Sequence, residues 1–123
     1  MEDKQFHKKL RKLIVDYIVA GYETLKQFPS DEKYGMTSQC KRALVSIFLN
    51  YTEGYARISK GVTKNLYEIA YGSLKESIGV FFLATKMYFI PTKNYISLFN
   101  QKEEIAKMLW KSIEGIEQDK KIK

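Results

Sequence analysis

Residues 28 to 57 read FPSDEKYGMTSQCKRALVSIFLNYTEGYAR. On a helix that starts at Met36, polar side chains recur every three or four residues along one line, and nearly all the remaining circumference is apolar. This polar line consists of Gln39, Arg42, Ser46, Asn50, Glu53 and Arg57. One neighbouring helix cannot cover so much apolar surface, so the pattern predicts a helix that is buried on several sides.

The rest of the chain has the composition of one small helical domain. It has 123 residues, 45% of them hydrophobic and only two of them proline, which fits a single core built from long helices. Apolar residues recur at helical spacing in four segments, and Thr37 is a candidate N-cap for the second. We predict helices over about 4–28, 36–59, 62–89 and 92–117, with a frayed tail at 120–123. Short connections between them predict an all-α, up-down-up-down antiparallel four-helix bundle that forms one domain over residues 1–123.

Several classes of protein fit the residue types poorly. The single Cys40 excludes an intramolecular disulfide, and with His7 as the only histidine there is no structural zinc site. Residues 1–8 lack the apolar core of a leader, and the longest apolar run, 78–84, is far shorter than the roughly 20 residues of a membrane span. We therefore expect a cytoplasmic protein without a membrane partner, in which Cys40 is a buried structural thiol.

A catalytic centre is not expected either. Glu53, Glu68 and Glu76 are the only central acids, and no Glu-x-x-His motif is present to build a di-metal site in the bundle. The glycines are too scattered for a phosphate-binding loop. The sequence therefore predicts no catalytic residues, no metal, no cofactor and no enzymatic activity.

Charge is the strongest indication of function. Twenty-one Lys and Arg residues against 14 acids give a net charge of +7 and a pI near 9.4. Lysine-rich helices offer point charges to phosphates but few rigid donors for base edges, so we expect RNA or DNA binding that is electrostatic and not base-specific. The residues predicted to carry it are Lys8, Lys9, Arg11, Lys12, Lys41, Lys60 and Lys64.

Two features of the second and third helices are open to more than one interpretation. The polar line is either a solvated face or an interface network in which Arg42, Asn50 and Glu53, together with Glu76 of the third helix, satisfy one another; we favour the interface. Gly72 and Gly79 are either tolerated in the helix or mark a close contact between subunits. The predicted network comprises Arg42, Ser46, Asn50, Glu53, Arg57 and Glu76.

Two segments of the sequence resemble a known family. Residues 46–54, SIFLNYTEG, are similar to the SIPxNIAEG motif of proteins encoded by 23S rRNA intervening sequences, with Phe48 in place of the usual proline. Residues 70–76, AYGSLKE, look like the ALGSLxE element of the same family, and the resemblance covers about residues 10–115. This four-helix-bundle family also includes the accessory variability determinants of diversity-generating retroelements.

The resemblance implies a homopentameric barrel and, in the retroelement branch, nucleic-acid binding beside a reverse transcriptase. The rRNA-encoded branch has no established biochemical role, and the segment 72–76 looks more like that branch. Two hypotheses follow: a basic, oligomeric nucleic-acid-binding accessory protein, or a protein–protein interaction scaffold without a nucleic-acid role.

Overall fold

The computed structural model describes residues 4–122, with side chains up to residue 118. The described residues form four long α-helices and one short 3-10 helix, and contain no strand. The α-helices are α1 (Lys4–Leu25), α2 (Met36–Ala56), α3 (Lys60–Lys86) and α4 (Thr92–Ile122), and the 3-10 helix is Ser30–Glu32. The prediction of an all-helical, four-helix protein is confirmed.

Helix α1 ends three residues earlier than the pattern predicted. The amides of Lys26, Gln27 and Phe28 donate to carbonyls three residues back, at 3.2, 3.0 and 3.1 Å, so the chain tightens into turns after Leu25. Phe28 nevertheless stays in the core, where its ring meets Phe81 edge-on at 6.3 Å between centroids. The periodicity extended to residue 28 because this side chain is buried although its backbone is no longer helical.

The start of α2 corrects the prediction that Thr37 caps this helix. Gly35 is the N-cap residue and makes no side-chain cap. Instead, the amide of Met36 donates to Oε1 of Glu32 at 3.1 Å. The 3-10 turn places the Glu32 carboxylate beside the first free amide of α2, where the helix dipole also favours an anion.

Helices α2 and α3 are joined by only three residues, 57–59. The Oγ of Ser59 accepts from the amide of Val62 at 3.5 Å and caps α3, so α3 begins at Lys60, two residues earlier than predicted, and Gly61 lies in its first turn. Thr63 donates to the carbonyl of Gly54 at 3.0 Å and ties the start of α3 to the end of α2.

The end of α3 has a left-handed residue that is not glycine. Tyr88 has φ of 62°. Its amide donates to the carbonyl of Thr85 at 3.1 Å, and the amide of Phe89 donates to Ala84 at 2.8 Å. These two bonds form a Schellman cap, which terminates α3 at Lys86, and α4 then runs from Thr92 past the predicted end at 117.

The core lies between all four helices. Contacts link α1 to α2 through His7 and Tyr51, α2 to α3 through stacked Tyr51 and Tyr67, and α3 to α4 through Tyr71 and Trp110. Cys40 is fully buried, as predicted, and burial raises the pKa of its thiol to about 12. Within residues 4–122, none of the helices combines the length and the apolar character needed to cross a bilayer.

Candidate nucleic-acid interface and the polar line

The basic cluster of α1 lies on the solvent side of the bundle. Lys8 and Lys9 are exposed, and among the described residues neither of them forms an ion pair. The Nζ of Lys12 lies 2.7 Å from Oδ2 of Asp16, and the guanidinium of Arg11 lies 5.3 Å from the ring centroid of Tyr55 on α2. The cluster therefore presents two unpaired point charges, one exposed ion pair and one arginine held against an aromatic ring.

Lys41 lies next to a shallow basin on α2. The basin has a volume of about 510 Å³ and its lining includes Val45, Leu49 and, from α1, Tyr22. The Nζ of Lys41 is 5.3 Å from the centroid of the Tyr22 ring. Three members of the polar line, Arg42, Ser46 and Asn50, line the same basin, so the structure brings part of both predicted sites together.

Lys60 and Lys64 lie at the start of α3, and the structure separates their roles. Lys60 is exposed, whereas the Nζ of Lys64 is held 2.9 Å from Oε1 of Glu117 and 3.2 Å from Oε2 of Glu68. These hydrogen bonds, first that of Glu117 and then that of Glu68, raise the pKa of Lys64. Lys64 thus ties α3 to α4, and it is less available to a phosphate than the sequence suggested.

The polar line makes hydrogen bonds that are mostly local to α2. Nη1 of Arg42 donates to Oγ of Ser38 at 2.7 Å, and Nδ2 of Asn50 donates to the carbonyl and the Oγ of Ser46, both at 2.9 Å. Nη2 of Arg57 lies 3.5 Å from Oε1 of Glu53. These contacts join residues four apart in the sequence, within α2 or between α2 and its C-cap residue Arg57.

Two further bonds cross from α2 to α3. The hydroxyls of Ser46 and Ser73 lie 2.8 Å apart, and Nε2 of Gln39 donates to Oε2 of Glu76 at 3.2 Å. The pattern therefore differs from the predicted network, in which Arg42, Asn50, Glu53 and Glu76 bonded to one another. Arg42, Asn50 and Glu53 each contact a residue four positions away, and Glu76 accepts from Gln39. Ser73 was missed, although it belongs to the second segment that carries the family resemblance, and Gln39 was left out of the network although it belongs to the polar line.

The sides of α2 and α3 that face away from the core are unusually apolar. Leu49 and Leu83 are 58% and 53% exposed, and Val45 and Ile69 are also exposed. A Cβ added at Gly72 or Gly79 would meet nothing within 4 Å, so neither glycine is used for packing inside the chain. We refer to Val45, Leu49, Ile69, Gly72, Gly79 and Leu83 as the outer face.

Lysines over aromatic rings are a feature that the sequence reasoning did not identify. Lys75 lies 5.5 Å from the centroid of Tyr71, Lys86 lies 5.5 Å from that of Phe82, and Lys102 lies 4.1 Å from that of Phe99. Each pair is three or four residues apart on one helix, so its spacing in the sequence could have revealed it. These cations are therefore partly occupied by rings of their own chain.

The described surface presents exposed charges and an exposed apolar face. Among residues 4–118, no group of three or more His, Cys, Asp or Glu side chains is placed to hold a metal ion. The exposed lysines can contact phosphates, and the outer face can pack against another surface.

The fold and these contacts define a small helical-bundle protein with a basic surface. The family model for the 23S rRNA-intervening sequence protein matches residues 7–111, so the chain belongs to that family. The resemblance to this family is therefore confirmed, whereas kinship with the retroelement accessory proteins stays a prediction.

One solved structure is similar over most of both chains. It is a protein of unknown function from the S23 ribosomal protein family of Bacteroides thetaiotaomicron VPI-5482, with a TM-score of 0.77 and 24% identity. The alignment covers 85% of this chain and 97% of that chain, and it supports the fold alone. A search of curated proteins finds no match.

Proposed function

We propose that this protein is a non-catalytic, basic, oligomeric accessory protein that binds RNA or DNA in the cytoplasm. The observation that carries the proposal is the exposed basic surface of α1, where Lys8 and Lys9 lack carboxylate partners among the described residues and the Lys12 pair is open to solvent. An exposed ion pair contributes only about 0.2–1 kcal/mol, so a phosphate can replace Asp16 as the partner of Lys12.

Assembly is the second part of the proposal. The contacts between successive helices support an up-down-up-down course, and the outer face supports a homo-oligomer, for which the family resemblance suggests a pentamer. Five copies at +7 each would carry +35, and a closed ring would repeat every basic cluster around its surface. Such a potential attracts polyphosphate strongly at low ionic strength.

Binding of this kind depends on counterion release. Lys8, Lys9 and Lys41 act as point charges on helices, without a rigid donor fork for base edges. Affinity should therefore fall steeply with salt and differ little between RNA and DNA of equal length.

The test is filter binding of a labelled RNA and a labelled DNA over a salt series. Replacing Lys8, Lys9, Arg11 and Lys12 together with glutamine should reduce the slope of log affinity against log salt by about 3 to 4, since each phosphate contact contributes about 0.9. The matched control replaces four exposed lysines elsewhere, Lys26, Lys33, Lys86 and Lys93, with glutamine. Both variants go from +7 to +3, so a difference between them reports position and not net charge.

An equal loss of affinity in both variants would show that only net charge matters and would contradict a site on α1. Affinity that stays flat over the salt series would overturn the electrostatic mechanism. Light scattering on each variant confirms that the oligomer is unchanged.

A reverse transcriptase is the polymerase partner that the retroelement branch of the resemblance suggests. In that role the basic oligomer would hold structured RNA against the enzyme. Co-purification with a reverse transcriptase encoded next to this gene is the direct measurement, and location of the gene inside a 23S rRNA gene would argue against this partner.

The alternative is a protein–protein scaffold without a nucleic-acid role. It is favoured by the outer face, which exposes apolar side chains such as Leu49 and Leu83. On this reading the polar line sets the register of subunit packing, and Asn50→Leu should change the oligomer measured by multi-angle light scattering. A stable oligomer that retains no RNA or DNA at low salt would select the scaffold.

A further inference from the structure

Three tyrosine rings form a stack that runs from the core to the surface beside the basic cluster of α1. Tyr67 and Tyr51 are buried, with their ring centroids 5.4 Å apart and an angle of 18° between the ring planes. Tyr51 and Tyr55 follow at 6.3 Å and 24°. Tyr55 is the outermost of the three and is 43% exposed. The core therefore holds in place an aromatic ring that borders solvent.

Cations of α1 lie next to this exposed ring. The guanidinium of Arg11 is 5.3 Å from the ring centroid of Tyr55. Lys8 is exposed and precedes Arg11 by three residues and Lys12 by four, so its side chain neighbours both of theirs on the helix surface. An aromatic ring, an arginine and two lysines thus meet in one region, which combines a surface for stacking with charges for phosphates.

We infer that this region binds single-stranded RNA or DNA, with an unpaired base stacked on Tyr55 beside Arg11 and the flanking phosphates on the lysines of α1. The inference rests on the proposed function and adds the strandedness of its ligand. Base stacking on an aromatic ring tolerates any sequence, because every base has a π-face, and arginine adds a cation–π contribution. In a duplex the base faces are covered by neighbouring bases, so a duplex contacts the cations alone.

A second exposed tyrosine provides a matched control. Tyr34 is 89% exposed, and the Nζ of Lys33 lies 5.5 Å from its ring centroid, so it also carries a cation. It precedes α2, whereas Tyr55 lies in the last turn of α2, about 30 Å away along the helix. Tyr34 therefore tests whether any exposed tyrosine with a cation is sufficient, or whether the position beside the α1 cluster is required.

The test compares two strands that carry the same number of phosphates. A thymidine strand of about 12 nucleotides and an abasic strand of equal length are each titrated with the full-length protein in a filter-binding assay. The parent should bind the thymidine strand about tenfold more tightly, and both affinities should fall with salt. Equal affinity for the two strands would overturn the stacking site and leave the electrostatic proposal intact. Affinities that do not depend on salt would instead contradict the proposed function, and this inference with it.

Variants of Tyr55 assign the preference to one ring. Tyr55→Leu should abolish the preference for the thymidine strand and leave the affinity for the abasic strand unchanged, whereas Tyr55→Phe retains the ring and should behave as the parent does. Tyr34→Leu is the control and should keep the full preference. A preference that survives Tyr55→Leu, or that is lost in Tyr55→Phe or Tyr34→Leu, would contradict the site.

A cross-linking experiment on the unaltered protein does not depend on how any variant folds. A strand that contains bromodeoxyuridine is bound at low salt and irradiated, and the adduct is located by mass spectrometry. The adduct should lie on Tyr55, because the base stacks against its ring. Adducts confined to other residues would contradict the assignment.

Discussion

Two pairs of helical glycines lie in contrasting surroundings. A Cβ added at Gly54 would lie 2.9 Å from two ring atoms of Tyr67, and one at Gly21 would lie 2.8 Å from a methyl of Leu44. At Gly72 and Gly79 the same atom would meet nothing within 4 Å. The first pair lies where helices approach each other, and the second pair lies on the outer face.

The difference separates residues that the fold needs from residues that it does not. None of these four glycines has a positive φ, so none of them is required by a left-handed backbone. Lack of space explains Gly21 and Gly54. Nothing within the chain explains Gly72 and Gly79, where each costs about 1 kcal/mol relative to alanine in a helix. This is the pattern expected if another surface packs against the outer face.

The largest expected effect is on stability, from one substitution made in both regions. Gly54→Ala should destabilise the protein by about 1–3 kcal/mol, because the Tyr67 ring is stacked on Tyr51 and the Cβ of Leu66 lies only 3.2 Å away. Gly72→Ala should have the opposite sign and stabilise the isolated chain by up to about 1 kcal/mol. Urea unfolding of both variants measures the two changes, and a stabilising Gly54→Ala would contradict the packing argument.

The two pairs of glycines also show which features of the fold could be predicted from the sequence. The four helices and the buried Cys40 followed from periodicity and residue type, because an apolar stripe has few alternatives in a chain of this size. The family signature includes Gly54. Only the structure explains why a glycine is needed there, because the ring of Tyr67 occupies the position that a side chain would take. Gly72 and Gly79 also lie in a helical pattern. The sequence alone does not distinguish a glycine packed against another helix from one with no neighbour.

For the candidate sites, the sequence indicated the residues but not the partners that surround them. Charge clusters identified the lysines, but whether a lysine is available depends on partners that are distant in sequence, as Glu117 is for Lys64. Ser46 was predicted, but its partner Ser73 belongs to another helix, so only the structure pairs them. The predicted cap of α2 was wrong because a side chain outside the helix, that of Glu32, accepts from its first free amide.

Assembly is the next most sensitive property. Gly79→Gln adds a flexible polar side chain on the outer face and improves helix propensity, so the chain itself should remain folded. If the outer face is a subunit contact, the variant should weaken association about tenfold or more, as an overpacked interface loses more than about 1.4 kcal/mol. Sedimentation velocity across a concentration series is the measurement.

Ser97→Gln is the control, since this exposed residue of α4 lies off the outer face. If Gly79→Gln associates as the parent does, Gly72 and Gly79 are merely tolerated on a solvated helix and do not mark a subunit contact. A clean monomer in the parent protein would remove the ring altogether.

The end of α3 presents the reverse situation, a left-handed backbone without a glycine. Tyr88 has φ of 62° and its side chain is 93% exposed, so it contributes little packing to offset the strained conformation. Tyr88→Gly should stabilise the protein by about 1 kcal/mol, seen as a higher unfolding midpoint. Met87→Gly is the control, because φ of −90° at Met87 suits any residue and the change should be neutral or destabilising.

The smallest expected effect concerns the ion pair of Lys12 and Asp16 on α1, a surface feature that the fold does not need. Lys12 and Asp16 are 76% and 47% exposed and pair in the less favourable helical order, with the base first. Asp16→Asn should therefore change stability by no more than about 0.3 kcal/mol. The same substitution removes an acid that competes with phosphate for Lys12, so nucleic-acid affinity at low salt should rise by about twofold.

Filter binding of this one variant measures the change in affinity, and urea unfolding measures the change in stability. A stability loss well above that value would mean that the α1 surface supports the fold, and lower affinity would mean that Asp16 positions Lys12 and does not compete for it.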